Sequence, residues 1–533
     1  MTGEKALGVD LGTTNSAMAI LEGSDPRIIQ NNESEDVTPS VVCYTEAGDV
    51  DVGRPAATNA SGRPDRTIRS IKRHMGEDGY TVEVDTEEYT PIDVSSEILS
   101  KLKRDAEAYT DVAVERATIT VPAYFNDDQK AATREAGRAA GLEVDLLNEP
   151  TAAAIAHGFN EEYDRTLIVY DFGGGTLDVS VLEISDNEFT ILTTTGDNHL
   201  GGDDFDEVIV DRLVQEFNEN RDVEIPIDGE YLARTGLRIP ENDEIEENLR
   251  QPAREAKEEL SSQDQRKILV PFAGQVDGQV VDVELTLSRD EFEEMTAEIR
   301  DRAMNPLEEA IDTVDLDTSD IDEVLMVGGT TRMPSLQDAV AEVTGVEPTM
   351  DFDPDKVVAL GAAVYAQHKL DIDTGRTSGS EGSEDDEGKD TVSTDITVKD
   401  IIPRSLGTKV IDGSFKRLIE ADTPITEAEG TKHFTTVEDN QSSMIIDIYQ
   451  GEHEQAEDNV KLDEFLLEGI PPQPAKTPTI EVRFTVDDDG ILHVEAEDRN
   501  SDVSGGITVE RNVTGTGADP TADAEAPEEV TSD

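Results

Sequence analysis

Cysteine occurs once, at Cys43, so no internal disulfide framework can staple this chain. A lone thiol inside the run PSVVCY reads as a packed side chain rather than a nucleophile. Basic residues are scarce: 44 Lys and Arg stand against 121 Asp and Glu, a formal net charge of −77. Such a chain repels phosphate backbones and shows no basic stripe, which removes nucleic acid from the expected partners. No apolar run reaches the ~18 residues of a membrane helix, and the start MTGEKALGVD lacks the charged-then-apolar pattern of an export signal. A soluble cytoplasmic protein without membrane contact is expected. The seven histidines have no metal-ligand spacing, which argues against zinc. The pattern G-x-x-x-x-G-K-[ST] is also missing, so any nucleotide site must use another design than the Walker loop.

What is present is acid, spread along the whole sequence. Self-repulsion of this size strains a compact fold in ordinary salt, whereas at 1 M ionic strength the screening length shrinks to about 3 Å. A cytoplasm of molar salt is therefore expected. At 533 residues, 36% of them hydrophobic, the chain can build two or more cores. Residues 1–370 alternate β-prone runs (ALGVDL, ERATITVPAYF) with helical periodicity (DDQKAATREAGRAAGL), the pattern of an α/β domain. Residues 371–400 begin with DIDTGRTSGSEGSEDDEGKD, a polar, self-repelling insertion that serves as an interdomain linker. Residues 401–513 carry short period-two runs such as SSMIIDIYQG and TIEVRFTV, which predict an all-β sandwich. Residues 514–533 read as a disordered acidic tail.

Two stretches share one plan. ALGVDLGTTNSAMAILE (6–22) and LIVYDFGGGTLDVSVLE (167–183) each run apolar strand, Asp, Gly/Thr-rich turn, apolar strand. Glycine turns let backbone N–H groups approach phosphate oxygens, and Thr13, Thr14 and Thr176 add hydroxyls. Asp10 and Asp171 stand at the strand ends, where carboxylates suit magnesium bound with phosphates. A third glycine turn, VGGTTRMP, follows an apolar strand, and Lys257 and Ser261 share one helix face four residues apart. Both could border a nucleoside.

GVDLGTTNSAMAI, SIKRHMG, TVPAYFND, NEPTAAAIAHG, VYDFGGGTLDVSVLEI, GDNHLGGDDFD, VGGTTRMP and DPDKVVALGAAV follow one another in order. Together with LGTKV, EDNQSSMIIDIYQGE and GILHVEAEDRNS they resemble the seventy-kilodalton heat-shock chaperone family, over roughly residues 5 to 512. The resemblance implies a multidomain fold: a two-lobed, actin-like α/β ATPase domain followed by the sandwich as substrate-binding domain. It implies ATP and ADP as ligands with Mg2+ and K+. Lys72, Glu149, Asp171 and Thr176 would be catalytic, and Asp10, Asp171 and Asp178 would organise the metals and their waters. Gly12, Thr13, Thr14, Asn15, Gly173, Gly174, Gly175, Gly201, Gly202, Lys257, Ser261, Gly328, Gly329, Arg332 and Asp355 would surround the nucleotide. Ile411, Phe434, Val437, Met444 and Ile446 would line a groove for extended apolar segments of unfolded proteins, although composition alone favours an ordinary sandwich core for them. Pro122 and Asp400 would couple the domains. A J-domain co-chaperone and a nucleotide exchange factor are the implied partners of a monomer.

The sequence also departs from that pattern. No long amphipathic helix follows the sandwich, so fast peptide exchange is expected. The linker ITVKDIIPRSLG carries Lys399 where the family is apolar. Ala57 and Arg254 stand where an interlobe latch is usual, with Glu255 adjacent, so ready nucleotide release is expected. The competing expectation is an uncoupled, nucleotide-binding holdase or exchange module with little regulated ATPase activity.

Overall fold

A computed structural model describes residues 5–77, 79–159, 164–185, 187–219, 240–276, 279–314, 316–349, 352–374, 396–486, 492–501, 503–508 and 528–529. The chain divides into two compact units: residues 1–124, 133–189 and 195–396, and residues 125–132, 190–194 and 397–533.

Two sheets in the first unit repeat one plan. In one, the antiparallel hairpin Lys5–Asp10 and Asn15–Glu22 lies beside the parallel strand Val114–Val121, which in turn pairs in parallel with Glu143–Asn148. In the other, the hairpin Arg165–Phe172 and Leu177–Ser185 lies beside the parallel strand Glu323–Val327. Leu167 to Phe172 are buried without a break, as expected of strands covered on both faces. The α/β expectation and the internal repeat both appear here as observed architecture.

Small residues bring the covering elements close. The helix Val357–Asp373 crosses Lys5–Asp10 so tightly that a Cβ at Gly8 would lie 2.1 Å from the Ala363 nitrogen. It meets the helix Glu149–Gly158 at Gly361, where a Cβ would lie 1.7 Å from the Ala152 carbonyl oxygen. That contact fixes the helix whose first residue is Glu149.

In the second unit, one sheet runs Phe415–Ile419, Leu406–Lys409, Ser443–Gln450 and Val460–Glu468. The other runs Ser504–Thr508, Leu492–Asp498, Ile480–Val486 and Glu429–Thr435, with Glu528–Glu529 bridging to Phe434 and Thr435. Met444, Ile446 and Ile448, at alternate positions of one strand, are buried with Phe434, Val482, Phe484 and Val494 in a single core. This is the period-two sandwich. Most of the 371–400 insertion and of the 514–533 tail lies outside the described residues.

Candidate nucleotide site

The two hairpins bring their turns face to face. Register across the second one pairs Asp171 with Asp178 and Phe172 with Leu177, so Gly173–Thr176 closes the loop. A Cβ at Gly174 would sit 2.0 Å from Thr14 Oγ1 of the opposite turn, and one at Gly201 would sit 2.2 Å from the Gly174 carbonyl oxygen. Only glycine permits that approach. The turn is further tied back: the N–H groups of Gly202 and Asp203 donate to the carbonyls of Gly173 and Gly174 at 3.0 and 2.9 Å, and Thr330 Oγ1 donates to Gly173 O at 2.8 Å. On the other side Ser40 donates from its N–H to Thr14 O and from its hydroxyl to Gly12 O. Gly328, at φ 81°, packs against the Phe172 carbonyl and beside the Asp171 carboxylate.

Below the turns lies a group of buried charges. Lys72, on the short 3-10 helix Ile71–His74, donates from Nζ to Glu149 Oε1 at 2.6 Å, and both residues are buried. The pair joins residues 77 positions apart, from two different elements. Asp10 keeps a solvent-facing edge but is hemmed in by protein, and that burial, with Glu149 beside it, pushes its carboxyl up to about 7 against the pull of Lys72. Burial and then Glu149 likewise raise Asp178 to about 7, although Tyr124 N–H donates to Asp178 Oδ1 at 3.0 Å. Asp171 is raised by burial first, then by Glu149, Asp178 and Asp10. Four carboxylates and one ammonium thus crowd a small volume, an arrangement that a bound cation would relieve.

The donors available to such a cation are all oxygens, the set that suits magnesium or potassium. Among the described residues no three Asp, Glu, His or Cys side chains converge closely enough to hold an ion directly. Among the described residues Asp10, Asp171 and Asp178 therefore do not form a direct ligand cage, although their carboxylate oxygens are the donor type that such an ion takes. Thr14 Oγ1 and Asp178 Oδ2 are buried with no hydrogen-bond partner of their own.

The remaining expected residues fall around this centre at different distances. Thr13 and Thr176 are buried at the two turns, whereas Asn15 is exposed. Lys257 donates to the Gly202 carbonyl at 2.7 Å and pairs with Asp206 at 2.8 Å, while the Ser261 hydroxyl is spent on the Lys257 carbonyl at 3.3 Å. Asp355 approaches Gly329, and Arg332 bridges Asp353 and Asp355 at 2.5 and 2.9 Å. Pro122 is buried one residue before Ala123 and Tyr124, whose neighbourhood Asp178 anchors. Arg254, expected to have lost its place in a latch, is instead held at 2.8 Å from Asp203 and 3.0 Å from Asp206, while Glu255 turns to Gln251. Sequence reasoning passed over Ser70, Arg73, Asp203 and Asp204, which join around Lys72; their signal was adjacency to that lysine and the acidic pair in GGDDFD.

In the second unit the expected groove residues separate into three kinds. Phe434, Met444 and Ile446 are wholly buried in the sandwich core, Val437 is half-buried, and Ile411 is 51% exposed. Asp400 is half-buried, accepts the Ile401 N–H at 2.8 Å and is raised by burial.

Comparison with known proteins gives a match of residues 6–529 to the model of the Hsp70 protein family. Two curated relatives, chaperone proteins DnaK from the R1 and NRC-1 strains of Halobacterium salinarum, are each 46% identical over 511 residues. Each match takes in 96% of this chain and 76% of the relative.

Proposed function

This chain belongs to the Hsp70 family and is an ATP-dependent chaperone, and we propose that the group around Lys72 and Glu149 carries its hydrolytic step. The observation that supports this most is the buried 2.6 Å pair beside Asp10 and Asp171, directly below two apposed glycine turns. Thr13, Thr14 and the turn residues Gly173–Gly175 bind the phosphates of ATP, and Gly201 and Gly202 complete the pocket from the start of their helix. Glu149 holds Lys72 extended so that its ammonium meets the γ-phosphate and the attacking water, stabilising charge as it develops. Asp10 and Asp171 would hold magnesium, which would supply neutralisation of phosphate charge, and the surroundings of Asp178 would suit potassium. Lys257, Gly328, Gly329, Arg332 and Asp355 flank the nucleoside.

The sandwich binds extended apolar segments of unfolded polypeptides. Ile411 offers exposed apolar surface and Val437 its neighbour in role, with Phe434, Met444 and Ile446 as the floor that becomes reachable when the strands above it part. Pro122 and Asp400 carry the signal between hydrolysis and peptide exchange. J-domain and nucleotide-exchange proteins are the expected co-chaperones of a monomer in a salt-rich cytoplasm. The test is the ATPase rate in molar KCl with and without an unfolded polypeptide. Clear stimulation supports coupling; an unchanged rate with tight polypeptide binding would favour an uncoupled holdase.

A further inference from the structure

The short helix that carries Lys72 is tied to the opposite lobe on both sides of that lysine. On one side Ser70, in the left-handed region at φ 50°, donates its hydroxyl to Asp203 Oδ2 at 2.9 Å. On the other, Arg73 Nη2 donates to Asp204 Oδ2 and to the Gly174 carbonyl, each at 3.2 Å. The two acceptor carboxylates are themselves fixed. Arg254 donates to Asp203 Oδ1 at 2.8 Å, and the Gly201 N–H donates to Asp204 Oδ2 at 2.7 Å. Arg73 is 23% exposed, and a Cβ at Gly175 would lie 2.8 Å from its Nε, so the phosphate turn is shaped to admit the guanidinium.

We propose that Arg73, seconded by Ser70, is a positioning residue for hydrolysis: its clasp on Asp204 and Gly174 makes closure of the two lobes and placement of Lys72 a single event. Lys72 sits between the two tethers, and its own ammonium donates to Glu149. If the lobes part, the tethers break and the short helix loses the contacts that aim Lys72 at the turn. Arg73 suits this task better than lysine would, because the rigid, planar guanidinium fixes the directions in which its Nη2 donates to the carboxylate and the carbonyl. Lobe opening for nucleotide release must break the same bonds, so the clasp slows release while it favours hydrolysis.

The inference rests on the reading of Lys72 as the γ-phosphate lysine, and the experiment separates the two. Single-turnover hydrolysis and release of fluorescent ADP are measured on the full chain in molar KCl. The variants are Lys72→Ala, Arg73→Ala, Arg73→Lys, Ser70→Ala and the double variant Lys72→Ala/Arg73→Ala. Arg73→Ala is expected to slow hydrolysis about 10- to 100-fold, the cost of a small misplacement, and to speed ADP release. Arg73→Lys should fall between. In the Lys72→Ala background, Arg73→Ala should slow hydrolysis no further yet still speed release, because Arg73 acts on chemistry through Lys72. Full-rate hydrolysis in folded Arg73→Ala, or the same fold loss with and without Lys72, overturns the proposal. If Arg73→Ala does not fold, unchanged hydrolysis in both Arg73→Lys and Ser70→Ala overturns it equally. Undiminished hydrolysis in Lys72→Ala would instead remove the reading of Lys72 itself, and the positioning role with it.

Discussion

The nucleotide site and the sandwich core are both built from buried side chains, yet burial means opposite things in them. In the first unit, burial gathers Asp10, Lys72, Glu149, Asp171 and Asp178, groups that are costly to remove from water and whose clustering is what supports the proposed chemistry there. In the second, burial gathers Phe434, Met444 and Ile446, which gain stability simply by leaving water. Buried charge therefore points to a candidate site, whereas buried hydrocarbon is compatible with function without pointing to it.

The comparison predicts where mutations register. Phe434→Ala should cost the sandwich about 3–5 kcal/mol of stability through lost contacts and a cavity, while ATP hydrolysis by the first unit is unchanged. Chemical denaturation followed by a sandwich-specific probe, with an ATPase assay alongside, measures both; a small stability loss would mean that Phe434 already faces an open groove. Glu149→Gln has the reverse signature. It withdraws the counter-charge of Lys72, so hydrolysis should fall on the order of 100-fold while the sandwich unfolds as before. A fall of less than threefold would place the catalytic centre elsewhere.

A subtler contrast lies in pH. Asp10 and Asp178 hold their protons more tightly when folded, near 7 against an ordinary 3.8. Their folded state is thus favoured below about 4, and that stability is lost as pH rises through about 7. In EDTA the first unit should melt roughly a few degrees lower at pH 7.5 than at pH 5, a size that follows from ordinary unfolding entropies. Magnesium with ATP should flatten this dependence, and scanning calorimetry at the two pH values reads it. The smallest effect belongs to Ile411. Its side chain is exposed, so Ile411→Ser should change stability by less than about 0.5 kcal/mol while weakening capture of an apolar peptide. Unchanged peptide affinity, measured by fluorescence anisotropy, would take Ile411 out of the groove.

How much of this was legible in the sequence follows the same division. Asp10 and Asp171 could be read directly, because strand, Asp and glycine turn lie within a dozen residues and recur. The partnership of Lys72 with Glu149 could not, since 77 residues intervene and a lone lysine looks like any surface lysine; the family resemblance placed both among the catalytic residues without pairing them. Arg73 was hidden for the same reason: its partners Gly174 and Asp204 lie 101 and 131 residues away. Ala57 and Arg254 replace both members of the usual latch, so the sequence named no partner for Arg254, yet folding supplies Asp203 and Asp206. Phe434, Met444 and Ile446 could not be sorted into groove or core, because period-two apolar residues satisfy both. The α/β domain and the sandwich were legible since strand-helix alternation and strand-only patterning are local properties.

The joined account, chemistry at Lys72 put to work in folding, is tested most directly by recovery of a chemically denatured reporter enzyme in molar KCl with ATP. The protein should restore reporter activity, and Lys72→Ala should not. Equal recovery with Lys72→Ala would contradict the account and leave passive binding as the source of the effect.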